Sequence, residues 1–282
     1  MIIHLRPMST YVQMPTSITE KLTKKSKHNE AMTLFAIGTQ IKDGSRTASY
    51  TEKDMAALFG ETERTLNNYV ATLKNTGLLK IKELVKGKSD FRYNSYYLPF
   101  FKENYFIVNA DFLYEDIPTK LKGILLFLKA NCWNGTNYLE YHSLEGLSKL
   151  AGIGKNDISR YKRELERLGL IKCFRNHLFI TCEHFPLYLK ETPKNRVYQA
   201  IYDYCFSKEI IPPYKKVDDA DWDRNILMIT EKYQNDYDRL EKDLNDKCAN
   251  LPPEVSLEYF CKALTGRVPV KKEKKRPKAI HL

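Results

Sequence analysis

Residues Tyr50 to Lys80 read YTEKDMAALFGETERTLNNYVATLKNTGLLK, and the same pattern returns at His142 to Lys172 as HSLEGLSKLAGIGKNDISRYKRELERLGLIK. Each stretch spells a short helix, a glycine-marked turn, a longer helix with one polar face, and a Gly-Leu step into a strand. In the first, Thr51 is a candidate N-cap, and Met55, Ala56, Leu58 and Phe59 supply an apolar face that ends at Gly60. Thr62 caps the next helix, whose Leu66, Val70 and Leu73 recur at helical spacing and face inward. Gly77 suits a left-handed C-cap. Arg64, Thr65, Asn67 and Asn68 are left on the opposite face.

The two stretches align without a gap at a displacement of 92 residues, pairing Gly60 with Gly152, Gly77 with Gly169, Tyr69 with Tyr161 and Leu73 with Leu165. Upstream, the same displacement pairs Leu34-Phe35 with Leu126-Phe127, and Tyr11 to Ile18 resembles Tyr105 to Phe112 once two residues are skipped. Apolar periods coincide by chance, but glycines, caps and aromatics in one frame do not, so the pattern reads as a duplication. In the second copy Ser143 caps the shorter helix. The longer one starts near Asn156 and buries Ile158, Tyr161 or the stem of Lys162, Leu165 and Leu168. Lys155, Asn156, Ser159, Arg160 and Arg163 then point outward. After each longer helix comes a hairpin. Leu78 to Leu84 and Phe91 to Leu98 flank the basic tip Lys86-Gly87-Lys88-Ser89-Asp90, while Leu170 to Phe174 and His177 to Thr181 join at Arg175-Asn176.

With 282 residues the chain is long enough for about two domains, and 43% hydrophobic with 29% charged residues is a globular composition. No apolar run approaches the roughly 20 residues that cross a bilayer, and the N-terminal MIIHLRPMSTYVQ lacks the apolar core of a secretory signal, so no membrane association and a prokaryotic cytoplasmic or nucleoid location are expected. The six cysteines form no C-x-x-C pair and read as reduced thiols. Cys173, His177, Cys182 and His184 lie close in sequence, but strand alternation splits them between faces, so small buried cysteines are preferred to a metal site. The formal net charge is +11. Asp218 to Lys247 holds ten acidic and five basic residues, which leaves the chain before it strongly basic and suited to a polyanionic partner.

Beyond the repeats, Asn195 to Phe206 reads as a helix with Val197, Ile201, Tyr204 and Cys205 inward. Pro212-Pro213 precedes one long helix from Asp219 to Cys248, whose Trp222, Ile226, Ile229, Tyr233, Leu240 and Leu244 make one apolar stripe broken by Asp236. That stripe either packs on the body of the protein or forms a homodimer seam over 219–248. A short helix from Glu254 to Leu264 leads to KKEKKRPKAIHL, too polar to fold alone and able to touch phosphates.

A helix lying in the roughly 12 Å major groove needs side chains that reach base edges, and Arg and Asn do so through paired contacts to guanine and adenine. Arg64, Asn67, Asn68, Asn156 and Arg160 fit that role. Thr62, Thr65 and Ser159 offer short hydroxyls, and Lys86, Lys88 and Arg175 at the hairpin tips, with Lys155 and Arg163, would neutralise phosphates. The bland alternative is that these residues are only the solvated face of amphipathic helices. Catalysis has no motif here: there is no P-loop, G-x-S-x-G or H-E-x-x-H, and the YNSYY run at Tyr93 to Tyr97 reads as core or stacking aromatics. A non-enzymatic protein without cofactor or metal is expected.

These residues resemble the winged helix-turn-helix superfamily, and their tandem arrangement over residues 11–185 is similar to plasmid and phage replication initiators with two winged-helix units. The resemblance implies a mainly α fold with small β-hairpin wings. The chain would then divide into winged-helix domains 1–101 and 102–192, followed by a helical region 193–266 and a basic disordered tail 267–282 that have no counterpart in that family. It implies sequence-specific binding to double-stranded DNA and contact with replication machinery. Two alternatives stand beside it, a transcriptional regulator binding a promoter as a dimer and a winged-helix module that docks proteins.

Overall fold

A computed structural model of the chain describes residues 10–22, 27–41, 47–49, 52–85, 92–99, 104–216 and 219–266. The candidate cap Thr51, the hairpin tip from Lys86 to Asp90 and the tail from residue 267 lie outside them. The fold is mainly α with small antiparallel sheets, 53% helical and 14% strand, as the sequence leads one to expect. The chain divides into two compact units, Met1–Leu189 and Lys190–Leu282.

The first unit opens with β1 (Tyr11–Pro15), α1 (Ile18–Leu22), α2 (His28–Thr39), β2 (Thr47–Ser49), α3 (Glu52–Phe59), α4 (Glu63–Asn75), β3 (Lys80–Val85) and β4 (Arg92–Tyr97). It continues with β5 (Tyr105–Asn109), a 3-10 turn at Ala110–Tyr114, α5 (Thr119–Ala130), β6 (Tyr138–Glu140), α6 (Leu144–Leu150), α7 (Ile158–Arg167), β7 (Ile171–Cys173) and β8 (His177–Ile180). Each half forms a three-stranded sheet of one order, β2-β4-β3 and β6-β8-β7. The short strands β2 and β6 escaped the sequence reading, because three residues are too few to show alternation.

The halves share one core built around α2 and α5, which pack on each other. α2 begins at His28 and is buried on nearly every side, including His28, Thr33 and Thr39. A helix enclosed all round belongs to a core and not to a surface. α5 is likewise enclosed, down to Lys122 and Lys129. Their ammonium groups are satisfied by carbonyls: Lys122 Nζ donates to Leu113 O at 2.7 Å and Lys129 Nζ to Thr136 O at 2.7 Å. Burial pulls both lysines down to about 8. Close approach of the two helices requires Gly123, since a Cβ there would sit 2.5 Å from the backbone oxygen of His28.

Strands β1 and β5 pair antiparallel across the halves, Tyr11 opposite Asn109, Gln13 opposite Ile107 and Pro15 opposite Tyr105. Because Tyr11 and Tyr105 begin corresponding segments, this register is symmetric about the Gln13–Ile107 pair. A local two-fold axis therefore relates the two strands, as antiparallel pairing of like segments demands.

The second unit packs α8 (Pro193–Ser207), α9 (Ala220–Tyr233), α10 (Tyr237–Lys247) and α11 (Leu257–Thr265) around their own core. Here the expectation of one helix over 219–248 is corrected. Gln234 and Asn235 take left-handed conformations at φ 49° and 72°, and Asp236 caps a new helix by accepting the Arg239 amide at 3.1 Å. Breaking the helix lets Leu240 and Leu244 turn back onto the core that already holds Ile226, Ile229 and Tyr233. The stripe offered as a dimer seam is thus consumed inside the unit. Cys205, Cys248 and Cys261 are buried in the same core.

This packing makes three predictions. Replacing Gly123 by Ala should destabilise the protein by about 1–3 kcal/mol in urea unfolding, because overpacking against backbone outweighs the roughly 1 kcal/mol helix-propensity gain. Gly146→Ala in α6, where the added methyl would meet only Ser143 Oγ at 3.6 Å, should instead gain up to about 1 kcal/mol. In the second unit, burial raises the Cys248 thiol to about 11 and pushes Cys205 and Cys261 upward. Above pH 9 the unfolded chain sheds these protons while the native state keeps them, so stability should fall with rising pH, by up to about 1.4 kcal/mol per pH unit for Cys248 between pH 9 and 11. The depressed Lys232 works in the opposite direction but is a single group. Fluorescence of Trp222 in a Trp133→Phe background reads this unit alone.

Candidate nucleic-acid interface

Both halves of the first unit present a helix, a glycine turn and a second helix. Gly60 and Gly152 adopt φ of 65° and 62° at the turns, where a Cβ would be strained. Gly152 is doubly constrained, because a Cβ would also lie 2.9 Å from the Phe127 ring. Thr62 caps α4, its Oγ1 accepting the Thr65 amide at 3.2 Å, and Ser143 caps α6 by accepting the Gly146 amide at 3.0 Å. α4 buries Leu66, Val70 and Leu73, and α7 buries Ile158, Tyr161 and Leu165. The opposite faces of both helices are solvated.

The turn between α6 and α7 is held from outside. Asn131 Nδ2 donates to Leu150 O at 3.1 Å, and His28 Nε2 lies 2.7 Å from Ala151 O. A carbonyl only accepts, so the His28 ring carries its proton on Nε2. His28 belongs to α2 of the first half, and its ring packs on Phe127 at 4.8 Å. One half therefore supports the helix ends of the other. In the first half, Asn29 Nδ2 donates to Tyr69 Oη at 3.0 Å and Lys27 Nζ to Thr72 Oγ1 at 3.1 Å, tying α2 to the buried side of α4.

On α4, Arg64, Asn67 and Asn68 are exposed, with no hydrogen bond or ion pair among the described residues. Thr62 and Thr65 share a hydroxyl bond of 2.9 Å, which leaves one hydroxyl proton for an outside acceptor. Lys86 and Lys88 lie outside the described residues. Asn156 sits in the turn before α7, because the helix begins at Ile158 and not at Asn156. Lys155 pairs with Glu145 at 3.4 Å, and Lys149 with the same carboxylate at 3.3 Å. Lys149 and then Lys155 hold the Glu145 carboxyl below its ordinary range. Ser159 is half-buried, and its carbonyl accepts Arg163 Nε at 3.2 Å. Arg160 Nη2 donates to Asp157 Oδ1 at 3.1 Å, and its guanidinium lies over the Tyr161 ring at 4.7 Å. Arg175 is exposed at the β7–β8 turn.

Several cations on these surfaces were not singled out from sequence. Lys80 and Lys82 are exposed on β3, and Lys172 is exposed on β7 with its ammonium 5.1 Å from the Phe174 ring. Alternation along the strands was the available signal, since residues two apart share a face. The four-residue Cys/His set disperses differently from a metal site. His184 is bound by Glu115 at 2.8 Å, and His177 stacks on Phe174 at 4.6 Å. Among the described residues no three His, Cys, Asp or Glu side chains gather where they could hold an ion. No described helix is long and apolar enough to cross a membrane.

Residues 115–171, which carry α5, β6, α6, the glycine turn and α7, match a family profile described as a helix-turn-helix domain. This supports DNA binding in general. No curated protein and no solved structure matches the chain.

Support of the α6–α7 turn by His28 has a measurable consequence. His28→Ala should cost about 1–3 kcal/mol in urea unfolding, because the Ala151 carbonyl loses its donor inside the core.

Proposed function

We propose that the chain binds double-stranded DNA sequence-specifically as two tandem winged helix-turn-helix units, α4 and α7 lying in major grooves with the β3–β4 and β7–β8 hairpins as wings. The observation that carries the reading is the helix-turn-helix match over residues 115–171, set beside a first half of the same strand order. Exposed Arg64, Asn67, Asn68, Asn156 and Arg160 supply base-edge donors and acceptors. Lys155, Arg163, Arg175 and the β3 and β7 lysines supply phosphate contacts. Binding without catalysis or cofactor accounts for these residues.

The symmetric β1–β5 register favours a particular target. Helices related by a two-fold axis meet antiparallel strands of the duplex, so the two half-sites should be inverted and, because the reading residues differ, unequal. Replication initiation or its regulation in a plasmid or phage is the process we favour, with several composite sites in direct repeat near the gene. A promoter-binding regulator would use one such site. A protein-docking module would show no salt-dependent DNA binding.

Selection from random duplex DNA tests this. The expected result is a bipartite inverted site of fixed spacing, one half of which loses preference in Arg64→Ala with Asn68→Ala and the other in Arg160→Ala, each lost contact costing roughly 1–3 kcal/mol. Inserting about 5 bp, half a helical turn, between the halves should abolish tight binding. Enrichment of no site, or unchanged preference in both variants, would sink the proposal.

A further inference from the structure

The carboxylate of Asp157 stands at the position where an acidic residue ordinarily caps a helix. Asp157 is the residue before α7, yet it adopts a helical conformation at φ −94°, ψ −23°, and its side chain accepts no amide from the first turn. Asn, Asp, Ser and Thr are favoured there because an extended backbone lets the side chain reach those amides. Asp157 gives that up and binds Arg160 Nη2 at 3.1 Å instead. The other side of the guanidinium is set by the Tyr161 ring 4.7 Å away, a ring fixed in the core at 9% exposure. Arg160 nevertheless keeps 63% of its side chain exposed.

We propose that Asp157 is a positioning residue for DNA reading: it and Tyr161 hold Arg160 in the orientation that reads a guanine. This rests on α7 lying in the major groove. A guanidinium has five N–H donors, and one bond to Asp157 leaves four, enough for the paired contact to guanine O6 and N7. An arginine already held by a carboxylate and a ring loses less rotamer freedom on binding than a free one. Arg64, which no described group holds, must be ordered by the DNA itself. The two helices therefore differ in kind, and the Arg160 position should be the more stringent of the two.

The test turns on a sign. A carboxylate at a DNA interface repels phosphate, so deleting one whose only effect is its charge should tighten binding. Asp157→Ala should instead weaken binding to the selected duplex about 5- to 20-fold and flatten the guanine preference at one position, with binding to random duplex equal or tighter. Asp157→Asn, which keeps an acceptor of the same shape, should fall between wild type and Asp157→Ala. Arg160→Ala should lose the same guanine preference, and Asp157→Ala should add little in that background. Urea unfolding of each variant separates loss of fold from loss of reading. Tighter or unchanged specific binding by Asp157→Ala, or a retained guanine preference, overturns the proposal while leaving DNA binding intact. A wild-type chain that selects no duplex site overturns both.

Discussion

The crossing of α2 and α5 is the constraint on which the first unit depends. Both helices are enclosed almost completely, so neither half has a core of its own to fall back on. Leu34, Phe35 and Ile37 on one and Ile124, Leu125 and Phe127 on the other are essentially inaccessible to solvent. Each such side chain contributes roughly 1.5–3 kcal/mol relative to exposure, enough to offset the enclosure of two lysines whose ammonium groups find carbonyls. The crossing tolerates no side chain at Gly123, and β1 paired with β5 closes it from one side.

From this crossing the placement of the two turns follows. α2 reaches the α6–α7 turn through His28 and the buried side of α4 through Lys27 and Asn29. Asn131, just past the end of α5, holds Leu150 of the same turn. The α6–α7 glycine turn is thus fastened to the shared core, and α4 is tied to the same core from its inner side. Under the proposed DNA-binding role, such fixed geometry would discriminate half-site spacing more sharply than two flexibly joined domains could.

Charge on the two exposed helical faces is arranged differently. Around α6, the turn after it and the start of α7 the cations are interleaved with acids, Lys149 and Lys155 on Glu145 and Arg160 on Asp157. Such exposed pairs contribute little to stability, a few tenths of a kcal/mol at most. On α4 the exposed Arg64, Asn67 and Asn68 have no hydrogen-bond or ion-pair partner among the described residues.

Much of each half was legible in the residues alone. Gly60, Gly77, Gly152 and Gly169 all take positive φ, and Thr62 and Ser143 both cap. Turn glycines, caps and apolar spacing act over a few residues, so the chain itself determines them. The displacement of 92 residues made the recurrence visible for the same reason. What lay beyond reach was set by contacts distant in sequence. Tertiary packing decided that α2 is enclosed from His28 on and that β1 pairs with β5 about a local two-fold axis. It also decided that the helix stops at Gln234–Asn235, while the polar Asp236 that interrupts the stripe in the sequence caps the next helix. Burying Leu240 and Leu244 in the unit's own core outweighs the strain of two left-handed residues, a balance no local pattern records.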